Sequence, residues 1–189
     1  MSSDHPSTRD LGMAVSDNFE RAFGTLAANS ARGASRQFGS VTAVSVGVPT
    51  PVFNRVFVFE QPSSKELTAA ITWMTERGDP FWVTAEASLA DEVAAATGGF
   101  DLDMSENTQP GMAFTPLREI DPGESVVDIE PATDSDALDD WSSIGEDVFD
   151  FSSETTRLLT PPSVLTDNKI RLFVGRIDDT PAACGLLVR

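Results

Sequence analysis

The residue types that most often carry enzyme chemistry are scarce in this sequence of 189 residues. Cys184 is its only cysteine, His5 is its only histidine, and it contains no tyrosine. A lone cysteine forms neither a disulfide within the chain nor a cysteine-rich metal site. With His5 as the only imidazole, the sequence offers no Cys/His or Ser/His/Asp catalytic set. These enzyme classes are therefore excluded, and the catalytic residues stay unassigned.

One acidic segment partly matches the ligand spacing of a calcium-binding loop. Oxygen-bearing side chains alternate at four positions: Asp101, Asp103, Ser105 and Asn107. The sixth position of such a loop needs glycine for a sharp turn, and the twelfth needs a bidentate glutamate. Because those positions hold Glu106 and Met112, we predict no metal site.

Phosphate-binding loops use glycines so that backbone N–H groups can approach the anion at the start of a helix. Neither G-x-G-x-x-G nor G-x-x-x-x-G-K occurs here. Two fragments, at 21–24 and 36–39, begin like an Arg-x-x-Gly-x-Gly/Ala loop, but their sixth positions are Leu26 and Val41. The first falls in a predicted helix and the second leads into a predicted strand. We predict no cofactor-binding residue in these 189 residues.

The charge balance limits the partners. The chain has 30 acidic and 13 basic side chains, for a net charge of −17. That charge repels nucleic-acid phosphates and anionic lipids, so we predict neither a nucleic-acid nor a membrane partner. A basic leader is missing, and the longest nearly apolar run, 181–188, is far shorter than the ~20 residues that span a bilayer. These features predict a cytoplasmic protein.

The basic residues include only two lysines, Lys65 and Lys169. Many carboxylates with little lysine are expected of a protein that stays soluble in concentrated salt. There the screening length falls to about 3 Å, so the self-repulsion of the chain is largely removed. Our hypothesis is a halophilic protein, and an ordinary acidic protein is the alternative.

Apolar periodicity in the first part of the chain alternates between helix and strand. Residues 1–15 have no period and are predicted to form a flexible tail. Ser16 is the predicted cap of a helix that ends near Asn29, and a loop follows. The β-rich runs 41–48 and 52–60, joined by a turn that contains proline, predict a hairpin.

The same alternation continues beyond the hairpin. Ser63 and Glu66 form a predicted capping box, and Gly78 ends the helix that they open. We predict three further elements, namely a strand over 81–85, a helix over 88–97 capped by Ser88, and a strand over 112–115.

The last third of the chain has a similar pattern. A strand is predicted over 126–129, followed by a helix with Thr133 and Asp136 as its capping pair. The buried stripe of that helix is predicted to contain Leu138, Trp141, Ile144 and Val148. After an irregular stretch, the runs 170–177 and 182–188 predict a second hairpin.

Residues 126–188 resemble the beginning of the GNAT superfamily of N-acetyltransferases. Ile129-Glu130-Pro131-Ala132-Thr133 leads into the amphipathic helix. The strand Arg171-Leu172-Phe173-Val174-Gly175-Arg176 is followed across an acidic turn by Pro181-Ala182-Ala183-Cys184-Gly185-Leu186. This order is similar to the first strand, first helix and second-to-third strand hairpin of the family. The resemblance implies a mixed, mostly antiparallel sheet flanked by helices.

Residues 52–117 resemble a degenerate second half of the same fold. Only Gln61-Pro62 separates the predicted strand from the helix cap, which leaves no room for a phosphate cradle. The resemblance therefore implies a tandem arrangement with an incomplete second copy. It divides the chain into a tail, 1–15; a degenerate GNAT-like domain, 16–118; a linker, 119–124; and the N-terminal half of an acetyltransferase domain, 125–189.

The resemblance implies transfer of an acetyl group from acetyl-CoA to an amine on a small molecule or peptide. The family binds acetyl-CoA through a fourth strand, a Gln/Arg-x-x-Gly-x-Gly/Ala loop and the next helix, which we expect after Arg189. The chain is therefore expected to be a fragment or an incomplete product. Only the acceptor-side segment is present, and it implies Phe149, Asp150 and Phe151 as substrate-binding residues. Core packing is the alternative role of the two rings.

The alternative function is a non-catalytic interaction or regulatory module. In that case the last strand offers an unpaired edge that a partner strand or a second copy completes. The coding sequence after Arg189 distinguishes the two. An open frame containing Arg-x-x-Gly-x-Gly supports the enzyme, and a stop codon favours the module.

Overall fold

The computed structural model describes residues 7–103, 105, 108–113 and 125–189. It shows an α/β protein in which helices flank two β-sheets, as predicted at that level. The helices are α1 (Thr8–Asn29), α2 (Ser64–Arg77), α3 (Ala90–Thr97), α4 (Ser135–Phe149) and α5 (Ser153–Leu159). The strands are β1 (Ala34–Phe38), β2 (Val41–Ser45), β3 (Asn54–Val58), β4 (Trp82–Ala85), β5 (Asp128–Pro131), β6 (Ile170–Ile177) and β7 (Thr180–Val188).

The first sheet has the strand order β1-β2-β3-β4. Its first two pairings are antiparallel, and β4 lies parallel to β3. A parallel pair needs a crossover connection, which α2 supplies between β3 and β4. One transverse row of this sheet contains Ser35, Val44, Arg55 and Trp82 as neighbours in register.

Alternating side chains of the first sheet pack against different helices. Val56 and Val58 pack with the buried stripe of α2, whereas Phe57 contacts the rings of Phe19 and Phe23 on α1. Successive residues of a strand point to opposite faces, so α1 and α2 cover opposite faces of this sheet. The sheet is therefore the middle layer of the first half of the chain.

Helix α1 begins earlier than predicted. Its cap is Ser7, which forms a capping box with Asp10, and residues 8–15 of the predicted tail are helical. The predicted cap, Ser16, lies inside the helix. The apolar period of α1 is weak in its first two turns, because those turns are mostly exposed. The predicted end near Asn29 is confirmed.

Helix α2 begins and ends at the capping residues that the sequence predicts. Ser63 Oγ accepts a hydrogen bond from the Glu66 backbone N–H, and the Glu66 carboxylate accepts one from the Ser63 backbone N–H. Gly78 ends the helix in the left-handed conformation, with φ +76°. The predicted capping box and stop signal are both confirmed.

The second sheet is antiparallel, with the order β5-β6-β7. The two-residue turn between β6 and β7 places Asp178 and Asp179 at positive φ, as hairpin turns of this length require. The predicted hairpin is confirmed. Strand β5 lies two residues later than predicted, at Asp128–Pro131.

Several other local predictions are wrong. The polar strand β1 and the short helix α5 were predicted as loops. Asp134, not Thr133, caps α4 through the Ala137 N–H, and α3 has no side-chain cap at Ser88. Val148 is 65% exposed, so it is outside the buried stripe of α4. Residues 112–113 of the predicted strand are not in a strand, and the rest of it, like the linker 119–124, lies outside the described residues.

The two halves of the chain share one hydrophobic core. Its buried residues include Phe23, Leu26 and Phe57 from the first half of the chain. Trp141 and Leu172 are among those from the second half. Polar contacts join the same halves. Arg32 Nη1 lies 3.1 Å from Glu154 Oε1, and the hydroxyls of Thr50 and Thr155 are 3.0 Å apart. The second segment therefore packs directly on the first.

Candidate functional site

An apolar pocket lies where the two halves of the chain meet. Its volume is about 230 Å³. Helices α4 and α5 and strands β6 and β7 form most of its wall, and two residues of the first half complete it. The lining residues are Leu26, Phe53, Trp141, Phe149, Phe151, Leu159, Leu172, Cys184, Gly185 and Leu186.

The sequence-predicted residues Phe149 and Phe151 both line this pocket. Helix α4 ends at Phe149, and Asp150 follows in the left-handed conformation, with φ +54°. This backbone reversal stacks the two rings, whose centroids are 5.4 Å apart and whose planes differ by 23°. Asp150 itself is exposed and does not line the pocket.

The two rings have different surroundings. Phe151 is half-buried, and its ring meets Phe53 edge-on at a centroid distance of 5.4 Å. Phe149 is 56% exposed, which is too open for a core residue. Phe151 therefore both packs against Phe53 and lines the pocket, while Phe149 forms the rim of the pocket.

The polar atoms of the pocket wall are few, and one of them is already engaged. Trp141 Nε1 donates to the Gly185 carbonyl oxygen at 3.0 Å. Cys184 is the only lining residue with an ionisable side chain, and burial raises the pKa of its thiol. A thiol with a raised pKa is a weak nucleophile at neutral pH. The wall is suited to holding apolar groups rather than to proton transfer.

Carboxylates lie along α4 and the turn after it. Glu146 accepts hydrogen bonds from Thr156 Oγ1 at 2.8 Å and from Ser153 Oγ at 3.1 Å, so it fixes α5 against α4. Asp147 and Asp150 are exposed. These two carboxylates add negative charge on either side of Phe149 in the sequence.

Sequence reasoning did not assign the rest of the pocket. Trp141 was predicted as a helix core residue, and Leu26 was considered as part of a predicted helix and of an incomplete phosphate-loop motif. Cys184 was considered only for disulfide, metal and Cys/His chemistry. Phe53 carries no local signal of a site, because its role depends on a contact with the second half of the chain.

The start of α2 is the place where the resemblance puts a degenerate cofactor site. The Glu66 carboxylate occupies it, with Glu66 Oε2 2.8 Å from the Ser63 backbone nitrogen. Hydrogen bonds from the backbone and side chain of Ser63 lower the pKa of Glu66, so this carboxylate is anionic at neutral pH. An anion already bound to these N–H groups repels a pyrophosphate. The residues at this helix start do not fit acetyl-CoA.

A second cavity, of about 280 Å³, lies between the end of β5 and the chain before β6. Its one carboxylate, that of Asp167, accepts hydrogen bonds from the backbone N–H groups of Lys169 and Ile170. This carboxylate organises the start of β6. We assign no binding role to the cavity.

In the part of the chain that the structure describes, no three His, Cys, Asp or Glu side chains are grouped closely enough to hold a metal ion. No described helix combines the length and the apolar character needed to cross a bilayer. Comparison with family models, with curated proteins and with solved structures gives no match to this chain.

Proposed function

We propose that this chain is the acceptor-side part of a GNAT-type acetyltransferase, which transfers an acetyl group from acetyl-CoA to an amine. The observation that carries the proposal is the apolar pocket at the turn between α4 and α5. Phe149 and Phe151 line it, at the position where the sequence resemblance implies the acceptor. Their rings would hold the apolar part of the amine, and the exposed Asp147 and Asp150 would attract its ammonium group.

The strand arrangement supports the same proposal. Strand β5, two helices and the β6-β7 hairpin follow one another as in the first part of the family fold, in the antiparallel order β5-β6-β7. In the first half, α2 joins β3 to the parallel β4, which suits a degenerate second half. Acetyl-CoA would supply the activated acetyl group, and the described residues do not provide its site.

Cys184 gives a direct test, because it is the only cysteine and it lines the pocket. We expect phenylbutylamine to slow the alkylation of Cys184 by iodoacetamide in a saturable way. Phenylbutanol should protect less and phenylbutyrate least, since the neighbouring carboxylates favour a cation. Equal protection by all three would contradict an amine site, and no protection would contradict a ligand pocket.

Matched variants locate the effect. Phe149→Ser should remove the protection, because the ring forms the pocket rim. Val148→Ser is the control, since Val148 is an exposed neighbour that does not line the pocket. Saturable binding of acetyl-CoA at micromolar concentration, measured by calorimetry, would contradict the absence of a cofactor site.

A second candidate, the non-catalytic interaction module, is favoured by β7. This strand of nine residues has no charged side chain and forms an edge of the described sheet, with Leu186 and Leu187 about 40% exposed. Uncharged edge strands are templates for pairing with another strand. A stop codon after Arg189, together with self-association that Leu187→Lys removes in sedimentation experiments, would support this candidate over the enzyme.

A further inference from the structure

Arg55 is a buried cation that does not line the pocket. It lies on β3, on the face that α1 covers, and it is 3% exposed. Three aromatic rings surround its guanidinium. Its Cζ atom lies 5.8 Å from the ring centroid of Phe19, 5.5 Å from that of Phe23 and 4.5 Å from that of Trp82.

The hydrogen bonds of Arg55 leave part of its guanidinium unused. Nε donates to the Val52 carbonyl oxygen at 2.9 Å, and Nη1 donates to Thr84 Oγ1 at 2.9 Å. Nη2 has no hydrogen-bond partner in the described part of the chain. A guanidinium has more N–H donors than these two bonds use. Donors therefore remain at the Nη1 and Nη2 edge.

No described carboxylate lies within ion-pair distance of Arg55. The described ion pairs belong to Arg32 and Arg176. This is unexpected in a chain with 30 acidic residues, because a buried charge is normally paired. Aromatic faces attract a cation, but they do not neutralise it. Burial lowers the pKa of Arg55 to about 10, so the group is still charged at neutral pH.

We propose that the free guanidinium edge of Arg55 binds a small monovalent anion, either chloride or a carboxylate group. The bound anion supplies the counter-charge that the described residues lack. It enters on the side of Trp82, which is 45% exposed and is the register neighbour of Arg55 on β4. Nη2 is not fully enclosed, since Arg77 Nε is the only described side-chain nitrogen or oxygen that is both fully buried and unpartnered.

Chlorine NMR line width tests the site with the ion itself. We expect the protein to broaden the chloride signal in a saturable way and potassium acetate to compete with that broadening. Arg55→Met should abolish the broadening, whereas Arg157→Met should leave it unchanged. Arg157 is an exposed residue of α5, so this control removes the same charge at a different place.

Thermal and denaturant unfolding give a second readout. An ion that binds only the folded state raises the folding equilibrium constant about tenfold for each tenfold rise in its concentration above Kd. We expect this dependence on chloride in the parent protein and in Arg157→Met, and its loss in Arg55→Met. If Arg55→Met does not fold, Arg55→Lys keeps the charge but lacks the planar fork, and it should show weaker broadening.

The outcomes separate the two sources of the anion. Competition by acetate at concentrations below those of chloride would identify a carboxylate ligand, and the reverse would identify chloride. Broadening that persists in Arg55→Met, or that is absent from the parent protein at every chloride concentration, would overturn the proposal. Arg55 does not line the pocket that contains Cys184, so the alkylation experiment and this one can fail independently.

Discussion

The ring of Phe53 meets the ring of Phe151 edge-on, with centroids 5.4 Å apart and planes at 62°. Phe53 belongs to a short helical turn before β3, and Phe151 follows α4, so 97 residues separate them in the sequence. Their contact closes one wall of the apolar pocket. The pocket therefore exists only when the two halves of the chain pack together.

This contact predicts energetic coupling between the halves. We expect the double-mutant cycle of Phe53→Leu and Phe151→Leu to give a coupling free energy of about 0.5–1.5 kcal/mol, as for other aromatic pairs. Urea unfolding measures it. A cycle that pairs Phe151→Leu with Phe38→Leu is the control, because Phe38 packs in the separate cluster around α2. Equal coupling in the two cycles would contradict a specific contact.

The hydrogen bond from Trp141 to Gly185 predicts a measurable stabilisation. Trp141→Phe removes the Nε1–H donor and leaves the Gly185 carbonyl oxygen without it, which should cost about 1–3 kcal/mol in the free energy of unfolding. Trp73→Phe, at a half-buried tryptophan that donates to no acceptor among the described residues, should cost less. Equal losses in urea titrations would mean that ring volume, not the hydrogen bond, sets the cost.

The capping carboxylate of Glu66 predicts a pH dependence of stability. Its pKa in the folded protein lies below the ordinary value of 4.5, mainly because the Ser63 backbone N–H donates to it. A lowered pKa stabilises the folded state above the unfolded pKa, and this stabilisation is lost as the pH falls through the folded pKa. Glu66→Gln should thus lower Tm at neutral pH and leave it almost unchanged in acid. A Tm difference that is the same at both pH values would contradict the prediction.

Two glycines predict different costs of substitution. Gly47 and Gly78 both have positive φ, of +78° and +76°. A Cβ at Gly78 meets no atom within 4 Å, whereas one at Gly47 lies 2.8 Å from the backbone of Arg32. Gly78→Ala should therefore cost only the backbone strain, about 1–2 kcal/mol. Gly47→Ala should cost clearly more, and equal costs in denaturant titrations would contradict the close packing at Gly47.

The composition predicts a response to salt. We propose that the chain is adapted to high salt, so its Tm should rise between about 0.1 M and 3 M KCl as screening removes self-repulsion. Differential scanning fluorimetry measures this rise. The Arg55→Met variant should keep the part of the rise that comes from screening. A constant or falling Tm in the parent protein would favour an ordinary acidic protein.

Local signals were sufficient for some elements of the fold. The capping box of Ser63 and Glu66 and the stop at Gly78 are contacts between neighbours in the sequence, so they define α2 without help from the rest of the chain. The hairpin of β6 and β7 is likewise local, since two residues join its strands. Such elements are set by hydrogen bonds that close within a few residues.

Other elements were missed because their sequence is not apolar. Strand β1 is largely exposed, and it is a strand because β2 offers it a complementary backbone edge. The first turns of α1 are mostly exposed, and the buried residues of the short helix α5 are two threonines and one leucine. Their conformation depends on capping and on contacts with distant residues rather than on an apolar period.

The sequence by itself determined the α/β class, the acidic surface, the absence of a Cys/His catalytic pair and the apolar rings on either side of Asp150. Only the tertiary structure decided that Phe53 and Leu26 complete a pocket with those rings, and that Arg55 is buried with no described carboxylate within ion-pair distance. The physical reason is that charge, composition and capping are properties of short segments. Pockets and buried ion sites depend on side chains that only packing of the two halves brings together.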